Sequence, residues 1–138
     1  MFKKILLATD GSEHSLRAAK YAVEIGEKFN SAIEVVYVVS IETSKSDVLG
    51  AASDFEIEKK RRDKLKSVKE LIKESGLDYK THILHGEPGP VIVDYANKNK
   101  FDCVVLGSRG LNKLQTFILG SVSHKIAKRA ECPVLIVK

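Results

Sequence analysis

The chain has 138 residues, of which 43% are hydrophobic and 30% are charged. This supplies enough apolar side chains for one core of ordinary size, so we expect a single domain over residues 1–138. Lys and Arg number 23 against 18 Asp and Glu, a net charge of +5, but the excess is spread over predicted helix faces where both signs mix. Such mixing is typical of solvated helices and gives little support to a nucleic-acid interface.

Compartment and membrane contact follow from the apolar segments and the thiols. No run of uncharged apolar residues approaches the roughly 20 that a membrane-spanning helix needs, and the N-terminal segment reaches Asp10-Gly11 too soon for a signal peptide. Cys103 and Cys132 each lie in or beside a predicted buried strand, outside any Cys-x2-Cys motif or histidine cluster. We therefore expect a cytoplasmic protein with reduced, structural thiols and no membrane contact.

Strand-like and helix-like segments alternate along the chain. Five strands are predicted, at residues 2–9, 32–39, 78–85, 103–106 and 134–137. Four helices are predicted between them, beginning near Ser12, Asp54, Pro90 and Ser121. Strict alternation favours a parallel sheet with right-handed crossovers, and we expect the doubly wound order 3-2-1-4-5 with helices on both faces. Residues 40–53 have no sustained period and are predicted to form a long loop, either beside the ligand crevice or mobile.

In that order the chain changes direction between the first and fourth strands, and their carboxyl ends open into a crevice where ligands bind. Asp10 follows the first strand, Gly107 ends the fourth, and Val38 lies near the end of the second along the same rim. Free N–H groups at the helix start after Gly120 suit an anion, and phosphate is the commonest such ligand. A dinucleotide fingerprint and a P-loop are both missing from the sequence, which excludes those two nucleotide motifs.

The glycines after the fourth strand carry a longer pattern. Gly107, Gly110 and Gly120-Ser121 have the spacing Gly-x2-Gly-x9-Gly-Ser. Together with Thr-Asp after the first strand and a terminal Pro-Val-Leu-Ile-Val, the pattern resembles the ATP-binding branch of the universal stress protein family, and the resemblance runs the length of the chain. It implies that Gly107 and Gly110 line the ribose and phosphates. It implies contacts to the phosphate chain from Gly120, Ser121, Val122 and Ser123.

The resemblance also implies an adenosine end of the crevice. Val38 is similar to the residue that contacts adenine through its main chain, and Asp10 is similar to the family's aspartate beside the adenosine. From the residues alone, Val38 is a core strand residue and Asp10 before glycine is an ordinary turn former. Gly120-Ser121 likewise caps a helix whether or not phosphate binds there. Arg109, between two glycines, is a candidate partner for a phosphate oxygen or an ordinary solvated side chain.

The function implied by the resemblance is an ATP-binding regulatory or sensing module, with Mg²⁺ or Mn²⁺ held through the phosphates. A slow ATPase or phosphotransferase on the same fold is the alternative, and a nucleic-acid-linked regulator is a second one. Phosphoryl transfer needs a positioned metal and a base or water-orienting group, and we assign no catalytic pair from the sequence. The apolar strand 134–137 would be an unprotected sheet edge, so we expect a homodimer that pairs through it, as the resemblance also implies.

Overall fold

The computed structural model describes residues 1–50, 53–108 and 120–138, with no account of the side chains of residues 42 and 43. The five strands are β1 (Lys4–Thr9), β2 (Ala32–Val39), β3 (Tyr79–His85), β4 (Cys103–Gly107) and β5 (Val134–Val137). The five helices are α1 (Glu13–Phe29), α2 (Ile41–Leu49), α3 (Asp54–Ser75), α4 (Pro88–Lys98) and α5 (Ser121–Arg129). Among these helices none combines the length and the apolar character that a membrane crossing needs.

All five strands form one parallel sheet in the order β3-β2-β1-β4-β5, which confirms the predicted topology. β1 is the central strand: its Leu7 pairs with Val35 of β2 on one side and with Val105 of β4 on the other. The carboxyl ends of β1, β2 and β4 therefore meet at one edge of the sheet. The order of the strands reverses between β1 and β4, and doubly wound folds bind their ligands at the carboxyl ends of the strands beside such a reversal.

Each face of the sheet carries its own hydrophobic core. Ile5 and Leu7 of β1 pack beneath α1 and α3, whereas Leu6 and Ala8 pack on the opposite face with α4 and α5. All four of these side chains are buried. Burial on both faces explains why β1 is a continuous apolar run without the alternation of a half-exposed strand.

Several helix ends lie where the sequence signals place them. Ser12 caps α1 by accepting a hydrogen bond from the amide of Ser15, and α3 begins at Asp54 as expected. Helix α3 is capped at its C-terminus by Gly76, which has φ of +76°. Helix α4 begins at Pro88, two residues before the predicted start at Pro90. A proline is well tolerated at either position, because the first turn of a helix has no intrahelical acceptor for its N–H groups.

The prediction of a loop over residues 40–53 is wrong, because α2 occupies most of this stretch. Among the α2 residues whose side chains the structure describes, only Asp47 is buried, at 5% exposed, while Ile41, Val48 and Leu49 are exposed. The helix therefore has no apolar stripe for a periodicity search to find. An ion pair between Asp47 and Lys60 of α3, at 3.1 Å, holds it in place instead.

Candidate functional site

The turn between β1 and α1 is tightly fixed at the edge of the crevice. The Oδ1 atom of Asp10 accepts a hydrogen bond from the amide of Ser12 at 2.9 Å. Gly11, between them, has φ of +83°, which favours glycine, and a Cβ atom there would lie 2.7 Å from Cδ of Lys64. The carboxylate of Asp10 is thus held at the carboxyl end of β1 by local geometry.

Gly107 brings the end of β4 against the start of α1. A Cβ atom on Gly107 would lie 3.0 Å from the carbonyl oxygen and 3.1 Å from the carbonyl carbon of His14. These are main-chain atoms of a helix, which cannot move aside as a flexible side chain can. Close packing of β4 on α1 therefore accounts for a glycine at this position, independently of any ligand.

The start of α5 is tied to the same point. The amide of Gly120 donates to the carbonyl oxygen of Ser108 at 3.1 Å. One turn later, Oγ of Ser123 donates to the carbonyl oxygen of Gly107 at 2.9 Å. These two bonds bring together the ends of the segment that carries the middle glycine of the pattern. That residue, Gly110, lies outside the described residues, as does Arg109.

The N-terminus of α5 differs from those of α1 and α3. Ser12 and Ser53 cap those two helices through their hydroxyl groups, and each has an acidic residue in its first turn. In α5 the cap is Gly120, with no side-chain hydrogen bond to the first turn from the described residues and no acidic residue within that turn. Within the described residues, the main-chain N–H groups of the first turn, from Ser121 onward, therefore have no side-chain acceptor at the cap.

The side chains of α5 differ in burial along the helix. Ile126 is fully buried, whereas Ala127 is exposed. Ser123 is buried and Val122 half-buried, whereas Ser121 is exposed beside the cap. Of the two serines in the first turn, Ser121 therefore faces solvent, while the hydroxyl of Ser123 is engaged inside the protein.

The main-chain groups of Val38 face the crevice side of β2. The amide of Ala32 donates to the carbonyl of Lys3, ahead of β1. Val38 lies an even number of residues later, so its N–H and C=O also point toward β1. The last pair in the β1–β2 register is Thr9 with Tyr37. In a parallel ladder this pair uses the N–H of Val38 as a donor to β1. The carbonyl of Val38 is thus left beyond the end of β1, facing the crevice.

An ionic cluster around the buried carboxylate of Asp47 lies beside this rim, and sequence reasoning missed it. Asp47 of α2 pairs with Lys60 at 3.1 Å and with Arg61 at 3.6 Å, and Arg61 also contacts His85 at 3.2 Å. Burial raises the pKa of Tyr37 nearby, and the charge of Asp47 raises it further. The sequence contains no hint of this cluster, because Lys60 and Arg61 stand in a mixed-charge block of the kind that usually covers a solvated helix face, and Lys60 is indeed largely exposed.

The region beyond the crevice contains an apolar cavity. It has a volume of about 490 Å³ and lies between α2 and the carboxyl ends of β2 and β3. Its lining includes Val39, Val48, Leu49 and Gly86.

In the part of the chain that the structure describes, no group of three or more His, Cys, Asp or Glu side chains is placed to hold a metal ion.

The structure thus brings Asp10, Gly107 and the start of α5 to one end of the sheet, through contacts among β1, β4, α1 and α5. Val38 lies on the adjacent strand β2, with its carbonyl on the same side. Among the described residues, the arrangement offers the carboxylate of Asp10, the carbonyl of Val38 and a helix N-terminus without a side-chain cap. These are groups that suit a polar ligand with an anionic end.

Comparison with known proteins gives this arrangement a family. The chain matches the universal stress protein family over residues 1–138. Universal stress protein MJ0531 of Methanocaldococcus jannaschii is 38% identical over 143 residues, which cover 100% of this chain and 83% of that protein. Among solved structures, universal stress protein UspA from Lactobacillus plantarum has a TM-score of 0.84 at 26% identity, covering 99% of this chain and 98% of that one. A universal stress protein in complex with cAMP has a TM-score of 0.76 at 27% identity, covering 99% and 97%. This chain therefore belongs to the universal stress protein family.

Proposed function

We propose that this universal stress protein binds ATP in the crevice at the carboxyl ends of β1, β2 and β4, as a nucleotide-dependent regulatory or sensing module. The observation that carries the proposal is the start of α5, where Gly120 leaves first-turn N–H groups without a side-chain cap among the described residues. An uncapped N-terminus at a topological switch point suits phosphate. The relative solved with cAMP, an adenine nucleotide, supports a ligand of this class.

In this proposal the phosphate chain lies along the glycine pattern. Gly107 and Gly110 line the ribose and phosphates, and the triphosphate contacts Gly120, Ser121, Val122 and Ser123. The limited room at the cap favours glycine, since a Cβ atom on Gly120 would lie 3.1 Å from the carbonyl oxygen of Ser108. Mg²⁺ or Mn²⁺ would be held mainly through phosphate oxygens, because the described residues offer no cluster of metal ligands.

The adenine end rests on Val38 and Asp10. The carbonyl of Val38 is a hydrogen-bond acceptor facing the crevice, and the 6-amino group of adenine is a donor that complements it. Guanine and hypoxanthine carry a 6-oxo acceptor there, which would leave two acceptors opposed. We therefore expect ITP, which differs from ATP at this position, to bind at least tenfold more weakly, or about 1.4 kcal/mol. Val38→Ala keeps the carbonyl and should change ATP affinity little.

Assembly and location complete the proposal. We place residues 1–138 in one nucleotide-binding domain in the cytoplasm, and we expect two copies to pair through β5. Val134, Leu135 and Ile136 of this edge strand are only half-buried in the single chain. A second copy, paired antiparallel across a twofold axis, would cover them and satisfy the outer main-chain groups.

Two measurements separate this function from its alternatives. Heating the purified protein and identifying the released nucleotide should yield ATP or ADP, and release of NAD alone would overturn the mononucleotide assignment. Single-turnover incubation with labelled ATP should leave the nucleotide intact over the lifetime of the complex. ADP formation faster than dissociation would instead favour the slow ATPase. A salt-dependent mobility shift with duplex DNA would favour the nucleic-acid alternative.

A further inference from the structure

A continuous chain of hydrogen bonds runs beneath the turn that carries Asp10. The amide of Gly11 donates to Oγ1 of Thr9 at 3.3 Å, and Thr9 donates to Oγ of Ser15 at 2.8 Å. Ser15 then donates to the carbonyl oxygen of Ser12 at 2.8 Å. Thr9 is 6% exposed and Ser15 is 3% exposed. Each of these two buried hydroxyl groups thus both accepts and donates a hydrogen bond.

Capping of α1 does not by itself call for this buried pair. Ser12 already caps α1 through its own hydroxyl, at 3.2 Å from the amide of Ser15. Ser53 caps α3 in the same way, at 3.2 Å from the amide of Glu56. A buried hydroxyl is costly unless it is hydrogen-bonded, whereas an apolar side chain at the end of a buried strand carries no such requirement. The pair therefore points to a task at the turn itself.

That task concerns the carboxylate of Asp10. The hydroxyl chain holds the turn at two points, the N–H of Gly11 and the C=O of Ser12. The amide of Ser12 in turn fixes Oδ1 of Asp10 at 2.9 Å. We propose that Thr9 and Ser15 are positioning residues, which hold the Asp10 carboxylate in the orientation that receives the adenosine part of the ligand. This inference rests on the proposed ATP site.

Removing one hydroxyl while keeping the shape of the side chain tests the positioning role. Thr9→Val leaves the amide of Gly11 without its acceptor and the hydroxyl of Ser15 without its donor. The turn should then relax, and ATP affinity should fall roughly tenfold, within the range found for coupled neighbours. Thr9→Ser keeps the hydroxyl and should restore most of the affinity. Ser15→Ala should resemble Thr9→Val, because it interrupts the same chain.

A double-mutant cycle distinguishes positioning from a general structural effect. Asp10→Asn keeps the oxygen that accepts from Ser12 but removes the negative charge, so it should weaken ATP binding without dissolving the turn. If Thr9 acts through Asp10, the double variant Thr9→Val/Asp10→Asn should bind ATP about as weakly as Asp10→Asn alone. If the two residues act independently, the fold losses of ATP affinity in the two single variants should multiply in the double variant. Thermal unfolding of every variant, recorded without nucleotide, establishes that the folded proteins are being compared.

The outcomes are separable from the fate of the proposed function. A wild-type protein that binds no ATP overturns the proposed function and this inference together. ATP binding by the wild type, with Thr9→Val as tight as the wild type, overturns the positioning role alone. The positioning role is also overturned if the affinity losses of the two single variants multiply in the double variant. An Asp10→Asn protein with unchanged ATP affinity overturns it as well. Should Thr9→Val fail to fold, Ser15→Ala in the same cycle with Asp10→Asn decides the question.

Discussion

The hydroxyl of Ser123 donates a hydrogen bond to the carbonyl oxygen of Gly107 across 2.9 Å, joining the first turn of α5 to the end of β4. Ser123 is 3% exposed, whereas Ser121 in the same turn is exposed. The sequence pattern treats the two serines alike. Their environments differ, and without ligand they should contribute differently to the stability of the fold.

This difference gives the first prediction. Ser123→Ala leaves the carbonyl of Gly107 without that partner and should lower the free energy of unfolding by about 1 kcal/mol. Ser121→Ala, at an exposed position, should stay within about 0.5 kcal/mol of the wild type. Urea denaturation of nucleotide-free protein measures both values. Equal losses in the two variants would mean that the bond from Ser123 adds nothing to stability.

A second prediction concerns Gly107. In Gly107→Ala the new methyl group would meet main-chain atoms of His14 at 3.0 to 3.1 Å, so β4 and α1 must separate slightly. We expect a loss of about 1–3 kcal/mol, typical of overpacking at a rigid contact. Gly89→Ala is the control, since the three nearest atoms that its methyl group would meet all belong to the side chain of Lys125, with Cδ at 2.9 Å. A smaller loss for Gly107→Ala than for Gly89→Ala would contradict this explanation.

The third prediction concerns Gly120 and the phosphates. Gly120 has φ of −59°, so a substituted residue can adopt its backbone conformation, and the constraint is the space beside Ser108. Gly120→Val should therefore fold but bind ATP at least tenfold more weakly, about 1.4 kcal/mol, because its branches occupy the approach to the helix start. The ATP affinity of Gly120→Ala should lie between those of the wild type and Gly120→Val. A folded Gly120→Val protein with unchanged ATP affinity would falsify this placement of the phosphates.

The fourth prediction uses the direction of main-chain groups in β5. The carbonyls of Pro133 and Val137 accept hydrogen bonds from the β4 side, from Val104 and Ser108 respectively. Main-chain groups alternate sides along a strand, so Ile136 presents its N–H to the free edge. Ile136→Pro should therefore keep the sheet but abolish the proposed dimer.

Leu135→Pro is the control for that experiment, because Leu135 faces β4 and its proline variant removes a donor on the β4 side. It should destabilise the fold itself. Sedimentation velocity at micromolar concentration, with circular dichroism to verify folding, reads out both effects. A monomeric wild type, or a folded Ile136→Pro protein that still dimerises, would remove the proposal of pairing through β5.

The fifth prediction is an alkaline loss of stability. Burial, with Cys132 nearby, raises the pKa of Cys103 from 9.0 to about 11. The folded state therefore keeps a proton that the unfolded state releases, so stability is full below about pH 9 and falls as the pH rises to about 11. The expected loss from this thiol is roughly 2–3 kcal/mol. It is measured as the difference between the wild type and Cys103→Ala across this range, and parallel curves would contradict it.

Local sequence signals were sufficient for the sheet and its order. β1 and β2 are apolar on both faces and Gly76 ends α3, so each element could be assigned from its own residues. Such signals depend on neighbours in the sequence or on burial against the sheet, both of which leave a periodic trace.

The features that the sequence left hidden depend on side chains far apart in the chain. Helix α2 is anchored by Asp47, whose partners Lys60 and Arg61 belong to α3. The glycine at position 107 is explained by main-chain atoms of His14, far earlier in the sequence. Neither relationship changes the hydrophobic period of its own segment, so pattern analysis had nothing to detect.

The central claim is that the crevice binds ATP by contacts to the phosphates and to the 6-amino group of the nucleotide. Isothermal titration calorimetry of nucleotide-free wild-type protein with ATP, adenosine and ITP, each with Mg²⁺, tests it most directly. We expect saturable binding with one ATP per chain, and weaker binding of both adenosine and ITP. No ATP binding at millimolar concentration, or equal affinity for all three compounds, would contradict it.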